Sequence, residues 1–263
     1  MQMVRKKVSS EDADPMLSPG WAYFVKSTKY KQHLAKYQEQ KETVSHYPSE
    51  FFLKPGGLTV LNKKSSCVKH HTVMDANGQF KNLAVSGLST IDCIRHDLKR
   101  GQAVGDLQVD ERWVIWSAQV NNSNQYSRYM NMDYLYLSSL AITNFMELVM
   151  SYDIVCQWSI HLWECMSTFP HRLQINLDGK KIVFLVPKFH LPAHVAACQT
   201  AFSFNLIPKV VHTDREAPEC GWANINPLSM STKQMCPASH WETINDHFGD
   251  WNCKKVIGLG MSF

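Results

Sequence analysis

The most continuous hydrophobic pattern in the chain is the apolar run KIVFLVPKF at residues 181–189. A run without polar alternation predicts a strand that is buried on both faces of a sheet. A shorter run, ELVMSYD at residues 147–153, predicts a second strand that ends in the acid Asp153. Between them, residues 156–169 are apolar with two tryptophans and predict a helix that Pro170 stops.

Helical patterns flank these strands on both sides. Residues 28–42 are rich in Lys and Gln with apolar side chains at helical spacing, which predicts a surface helix. Pro192 suits the first turn of a helix running to about Phe204, and another helix is expected to begin near Thr213. Strands that alternate with helices indicate an α/β sheet.

The composition fits a globular protein with a core, because 44% of the 263 residues are hydrophobic. The amino terminus lacks the apolar segment of a secretory signal, and no run of 18 apolar residues predicts a membrane span. The net charge of +4 is weakly basic, which permits nucleic-acid binding without requiring it.

The eight cysteines are scattered along the chain, which favours thiols or metal ligands in a reducing compartment over disulfides. Cys67 with His70 and Cys93 with His96 form two C-x2-H pairs. Four sulfur and nitrogen ligands in two tight pairs suit a structural, tetrahedral Zn²⁺ site. The alternatives are His71 as a competing ligand, or two unrelated pairs with a thiol in the core.

A further group consists of His190, His194 and Cys198, which recur every four residues. On a helix they would share a face and could bind a metal, as in a different class of metal hydrolase. Pro192 places His190 at the strand end instead, so a packed, hydrogen-bonded face is the favoured interpretation.

Nine sequence blocks, in order and spanning nearly the whole chain, resemble the Kyakuja-Dileera-Zisupton (KDZ) transposases, which are abundant in fungal genomes. The blocks are DPMLSPGWAYFV, SSCVKH, IDCIRH, VGDLQVDER, NMDYLYLSSL, SYDIVCQW, VPKFHLPAHVAACQTAFSFN, TDREAPECGWANINP and DHFGDWNCKK.

The resemblance implies an RNase H-like fold of the DDE transposase and integrase type, with strand order 3-2-1-4-5 and a Cys/His zinc-type insertion. Residues 86–96 would then be strand 2, and part of residues 128–137 would be strand 3. The two apolar runs at residues 147–153 and 181–189 would be strands 4 and 5.

The resemblance also implies a catalytic triad of acids that holds Mg²⁺ or Mn²⁺ for DNA strand cleavage and transfer. Asp153 matches the second acid, with capping of the following helix as the alternative role. Glu219 or Glu216 matches the third; they are three apart on one helical face, so both could point at the metals. We slightly favour Glu219, and the alternative is that one of the two caps the helix start or is solvated. Arg215 and Cys220 depart from the family's pattern at this site.

The resemblance places the first acid ahead of the basic residues 4–7, where the chain begins Met1-Gln2-Met3. Asp75 is rejected as a replacement because it lies between the two C-x2-H pairs. The family pattern also continues beyond residues 258–263. We therefore expect an incomplete fold, truncated at both ends, and an inactive fragment.

We divide the chain into residues 1–85, which follow the missing first strand, and residues 86–263, the RNase H-like core. Residues 113–127 interrupt the family's pattern and are interpreted as an insertion, such as a translated intron. The resemblance implies DNA as partner and the nucleus as location; self-association is also possible, and no membrane is expected.

The competing hypothesis is a zinc-stabilised module that binds DNA or protein. It would use the two C-x2-H pairs and the basic residues around them. These are Lys63, Lys64, Lys69, Arg95, Lys99 and Arg100.

Overall fold

A computed structural model of the chain describes residues 5–6, 16–17, 19–45, 83–85, 87–107, 129–160, 162–207 and 217–260. Several predictions fall outside these residues: the zinc ligands Cys67 and His70, the acid Glu216, the rejected Asp75 and the proposed insertion at 113–127.

Among the described residues, eight short strands pair into four two-stranded sheets. Three pairs are antiparallel and one is parallel. The strands are β1 (Arg5–Lys6), β2 (Leu83–Val85), β3 (Gly87–Ser89), β4 (Asp92–Cys93), β5 (Leu98–Lys99), β6 (Gly105–Leu107), β7 (Glu147–Ser151) and β8 (Lys181–Leu185). The pairs are β1 with β2, β3 with β6, β4 with β5, and β7 with β8.

The two apolar runs form the strands that they predicted, and these strands make the parallel pair; β8 is partly buried over most of its length, not buried on both faces as expected. Strands β7 and β8 run side by side, from Glu147 opposite Lys181 to Ser151 opposite Leu185. A parallel pair needs a crossover, and here it consists of helices and a loop. The mixed α/β class is therefore confirmed. A continuous sheet in the order 3-2-1-4-5 is not formed by the described strands, which pair two by two.

Eight α-helices and two 3-10 turns lie in the described residues. The helices are α1 (Ser27–Ser45), α2 (Met130–Ala141), α3 (Val155–Trp158), α4 (Leu162–Met166), α5 (Ala196–Ala201), α6 (Ala217–Ile225), α7 (Leu228–Thr232) and α8 (Pro237–Gly260). The 3-10 turns are His171–Leu173 and Leu191–Ala193.

Helix α2 corrects the prediction that part of residues 128–137 forms strand 3. Ten of its twelve residues are buried, including Asn131 and Asp133. A helix that is buried on all sides shows no one-sided apolar stripe, so its sequence lacks the helical period that would have identified it.

Other predicted elements exist but are broken into shorter pieces. The helix expected at 156–169 is divided into α3 and α4, and the helix expected after Pro192 is a 3-10 turn followed by α5. Residues 86–96 contain two strands, β3 and β4, instead of one. The surface helix predicted at 28–42 is confirmed as α1.

The main core surrounds α2 and holds the parallel strand pair against it. Trp158 is 2% exposed, and its ring packs edge-on against Tyr136, Tyr152 and Phe184 at centroid distances of 5.1, 5.7 and 5.9 Å. Such aromatic pairs add about 0.5–1.5 kcal/mol each beyond the burial of their area. This packing fixes the carboxyl ends of β7 and β8 beside α3.

The β4–β5 hairpin is held against the long helix α8 by hydrogen bonds. Asn252 accepts from the Lys99 backbone N–H at 2.8 Å and donates to the Lys99 carbonyl at 2.9 Å. The indole of Trp251 donates to the carbonyl of Asp97 at 2.7 Å. Asp97 itself has a φ of 54°, a left-handed conformation that Asp tolerates in tight turns. These contacts place β4 opposite the end of β7.

Candidate metal centre and DNA site

A cleft of about 760 Å³ lies between the β4–β5 hairpin and the carboxyl end of β7. It brings together residues that are far apart in the sequence and that belong to both predicted constellations. Its polar and aromatic lining includes Asp92, Cys93, His96, Asp153, His190 and Trp222.

Asp153 follows β7 and is about one third exposed. Its Oδ1 atom lies 3.5 Å from His190 Nδ1 and 3.7 Å from His194 Nε2. Oδ1 is shielded from solvent and accepts no hydrogen bond from any described residue. A shielded carboxylate oxygen without a donor is costly, so this site favours a bound cation or a polarised histidine N–H. A carboxylate at this position fits a hard divalent ion.

The alternative role of Asp153, capping helix α3, is wrong. The residue at the cap position of α3 is Ile154, and no side chain makes a capping hydrogen bond there. The Asp153 carboxylate is directed to the two histidines instead of the helix N-terminus.

Helix α6 supplies the region of the third predicted acid. Glu219 lies in its first turn, and Trp222, three residues later, lines the same cleft as Asp153. The role of Glu219 as the third acid stays a prediction.

A buried ion pair involves Asp92, which lines the same cleft as Asp153. Lys99 Nζ lies 2.6 Å from Asp92 Oδ2, with both side chains 5% exposed or less. Burial raises the pKa of Asp92, while the charge of Lys99 opposes that rise. A Cβ atom placed on Gly221 of α6 would lie 2.6 Å from Lys99 Nζ, so a larger residue there would require the Lys99 side chain to shift.

The internal role of Lys99 corrects part of the predicted basic surface. Lys99 pairs with Asp92, and Arg100 donates to the Ser139 carbonyl and to Thr143 Oγ1. Both side chains are therefore engaged in contacts within the protein. Arg95 is exposed, as a phosphate-binding side chain would have to be.

The second predicted C-x2-H pair is formed, since Cys93 Sγ and His96 Nδ1 lie 3.5 Å apart at the edge of the cleft. This distance suits two ligands of one tetrahedral ion. The four-ligand zinc site stays a prediction, because its other two ligands lie outside the described residues.

Among the described residues, three potential metal ligands meet in a Cys/His cluster that is separate from the predicted zinc site. Ligand atoms of Cys156, His194 and Cys198 lie within 4.8 Å of one another and could hold a metal ion. His190, which the sequence grouped with them, contacts Asp153 instead. The sequence analysis missed Cys156 because its partners lie 38 and 42 residues further on, a separation that no local spacing rule covers.

Comparison with known proteins identifies the family. The family model described as Kyakuja-Dileera-Zisupton transposase matches residues 2–252. Neither a curated protein nor a solved structure matches the chain. None of the helices in the described residues is long and apolar enough to cross a membrane. Because the family match covers nearly the whole chain, the protein belongs to the KDZ transposase family.

Proposed function

We propose that the protein is a transposase-derived, DNA-binding chain whose Asp153 cleft descends from a metal-dependent strand-cleavage and strand-transfer site. One observation carries this proposal: Asp153 follows a parallel strand and lines the same cleft as Trp222 of the helix that bears Glu219. The fold expected for that site is RNase H-like, and the parallel neighbours β7 and β8 are compatible with strands 4 and 5 of it.

The chemistry of strand transfer requires an in-line attack on phosphorus. When bound, two Mg²⁺ or Mn²⁺ ions would stabilise the attacking and leaving oxygens of this step. In this chain Asp153 and Glu219, or Glu216 in its place, would hold such ions. Hard carboxylate oxygens are the ligands that these cations prefer.

We further propose that this chain binds DNA and a divalent ion without completing strand transfer. The ion-pair contacts of Asp153 are with two histidines, and it joins no cluster of three potential ligands among the described residues. A second acid that lines the cleft, Asp92, is neutralised by Lys99. Arg215 and Cys220 also depart from the family's pattern beside the third acid.

The expected partner is DNA in the nucleus, with association of two chains on one DNA as a further expectation. Affinity should fall steeply with salt, because phosphate binding releases condensed counterions. Arg95 at the cleft mouth is an exposed basic side chain suited to such a contact.

A plasmid assay tests this proposal. The full chain is incubated with supercoiled DNA and Mn²⁺, and binding and nicking are both measured across a salt series. We expect salt-sensitive binding and no nicking. Nicking that disappears in Asp153→Asn and persists in Asp250→Asn, which changes an exposed acid on α8, would show an active enzyme and overturn the proposed inactivity. Absence of DNA binding at low salt would overturn the DNA-binding function.

The second candidate is a zinc-stabilised binding module, which the 3.5 Å approach of Cys93 Sγ to His96 Nδ1 favours. In that case Cys67→Ser and Cys93→Ser should each abolish DNA binding, whereas Cys253→Ser, at an exposed cysteine on α8, should not. Unchanged binding in the first two variants would exclude the module.

A further inference from the structure

We propose that Cys156, Cys198 and Nδ1 of His194 bind a zinc ion, and that Nε2 of the same histidine positions Asp153. The zinc site does not depend on the proposed function. Only the functional role of Asp153 rests on the proposed function. The site is built at the carboxyl ends of the parallel strands: Cys156 lies on α3 after β7, and the other two residues follow β8.

The geometry favours a single ion. The three ligand atoms lie within 4.8 Å of one another, and Cys156 Sγ lies 3.5 Å from His194 Nδ1. Ligand atoms that lie about 2.0–2.3 Å from a tetrahedral zinc ion are separated from one another by distances similar to those among these three atoms. Only small side-chain adjustments are therefore needed.

The donor atoms select the metal. Two thiolates and an imidazole are soft or borderline ligands, which favour Zn²⁺ over Mg²⁺ or Mn²⁺. Three protein ligands leave a fourth position, which water can fill. This ion is therefore chemically distinct from the hard cations proposed for the Asp153 carboxylate, a few ångströms away.

The backbone around His194 is fixed independently of any metal. Gln199 Nε2 donates to the His194 carbonyl at 2.6 Å and to the Pro192 carbonyl at 3.2 Å. His194 itself is 4% exposed. A turn that is tied in this way presents the imidazole in one orientation, as a metal site requires.

The coupling to Asp153 follows from the two nitrogens of one ring. Zinc bound through Nδ1 leaves the proton on Nε2, which lies 3.7 Å from Asp153 Oδ1. This distance is longer than a hydrogen bond, and a small shift of the ring on zinc binding would let the N–H donate to the shielded Oδ1, which accepts no hydrogen bond from the described residues. Metal-bound histidines commonly donate their other N–H to a carboxylate, which orients both groups. The second carboxylate oxygen then stays available to a hard cation.

Metal analysis of the full chain tests the site. The protein is purified with reductant and zinc on a Cys93→Ser background, which removes the other candidate site, and its metal content is measured. Cobalt substitution adds a thiolate-to-cobalt charge-transfer band as a second readout. We expect Cys156→Ser and Cys198→Ser to lose the zinc and the band, while Cys253→Ser, at an exposed cysteine, keeps both. Zinc retained in full by both cluster variants would overturn the proposal.

Thiol alkylation of the unmutated chain guards against variants that fail to fold. Bound zinc should slow the alkylation of Cys156 and Cys198 and leave the rate at Cys253 unchanged. Equal rates with and without zinc at all three cysteines would also overturn the site.

The positioning role of His194 has its own test. Asp153→Asn should retain zinc stoichiometry while zinc affinity falls roughly 10- to 100-fold, because the carboxylate supports the ligand without binding the ion. Loss of all zinc would make Asp153 a ligand, and unchanged affinity would remove the coupling. Neither readout involves DNA, so failure here is distinguishable from failure of the proposed function.

Discussion

Two of the acids that line the cleft, Asp92 and Asp153, differ in burial and in the partners of their carboxylates. Asp92 lies in the β4–β5 hairpin, 4% exposed, and is paired with Lys99 at 2.6 Å. Asp153 lies after β7, 35% exposed, beside two histidines at 3.5 and 3.7 Å. Solvation and partners, more than a position at a strand end, therefore determine which acid is available to a cation.

The largest effect is expected from removing the partner of the buried acid. Lys99→Met leaves Asp92 buried without its counter-ion and should destabilise the protein by about 3–5 kcal/mol. Urea unfolding measures the loss. Lys254→Met, which breaks the exposed pair with Asp250, is the control and should cost about 0–1 kcal/mol. Similar losses in both variants would contradict the contrast between buried and exposed pairs.

Asp133 of α2 extends the comparison to a buried acid that has no basic side chain as a partner among the described residues. Burial raises its pKa to about 7, although the Trp158 indole N–H donates to it. The folded state therefore holds the proton more tightly, and this contribution to stability is lost as pH rises from about 4 to about 7. At 1.36 kcal/mol per pKa unit the effect amounts to a few kcal/mol.

Unfolding of the wild type and Asp133→Asn between pH 4 and pH 8 isolates this contribution. His33 acts in the opposite direction, because burial lowers its pKa to about 4 and its stabilisation is lost on acidification. It is common to both proteins and cancels in their difference. We expect the stability of Asp133→Asn relative to the wild type to rise with pH, and a constant difference would contradict the raised pKa.

A smaller effect is expected at the point where α6 meets the buried pair. Gly221→Ala brings a Cβ atom to within 2.6 Å of Lys99 Nζ and should cost about 1–3 kcal/mol through crowding. Gly249→Ala in α8, where no atom lies within 4 Å, is the matched control and should stabilise by about 0.5–1 kcal/mol. Thermal unfolding distinguishes the two signs. Stabilisation by both would show that Lys99 moves aside freely.

The smallest effect on stability is expected at the more exposed acid. Asp153→Asn should change the free energy of unfolding by less than about 1 kcal/mol, because the carboxylate is 35% exposed and its two histidine contacts are long, at 3.5 and 3.7 Å. The same change should weaken Mn²⁺ binding measured by titration calorimetry. A large loss of stability with unchanged Mn²⁺ affinity would make Asp153 a structural residue like Asp92.

Local sequence patterns predicted the strands and helices that depend on local interactions. The apolar runs identified β7 and β8, and the spacing around Tyr30 and Leu34 identified α1. The same reasoning failed at α2, because burial on every side erases helical periodicity. It also failed to find where the helices at 156–169 and after Pro192 are interrupted, since chain turns there depend on packing.

Contiguous residues were sufficient to predict the family and the two apolar strands, while Asp153 as the leading site residue stays a prediction. Three contacts became evident in the tertiary structure: Cys156 lies beside His194 and Cys198, His190 contacts Asp153, and Lys99 forms a buried ion pair. These outcomes depend on contacts between distant segments, and on which groups lose their water when those segments pack.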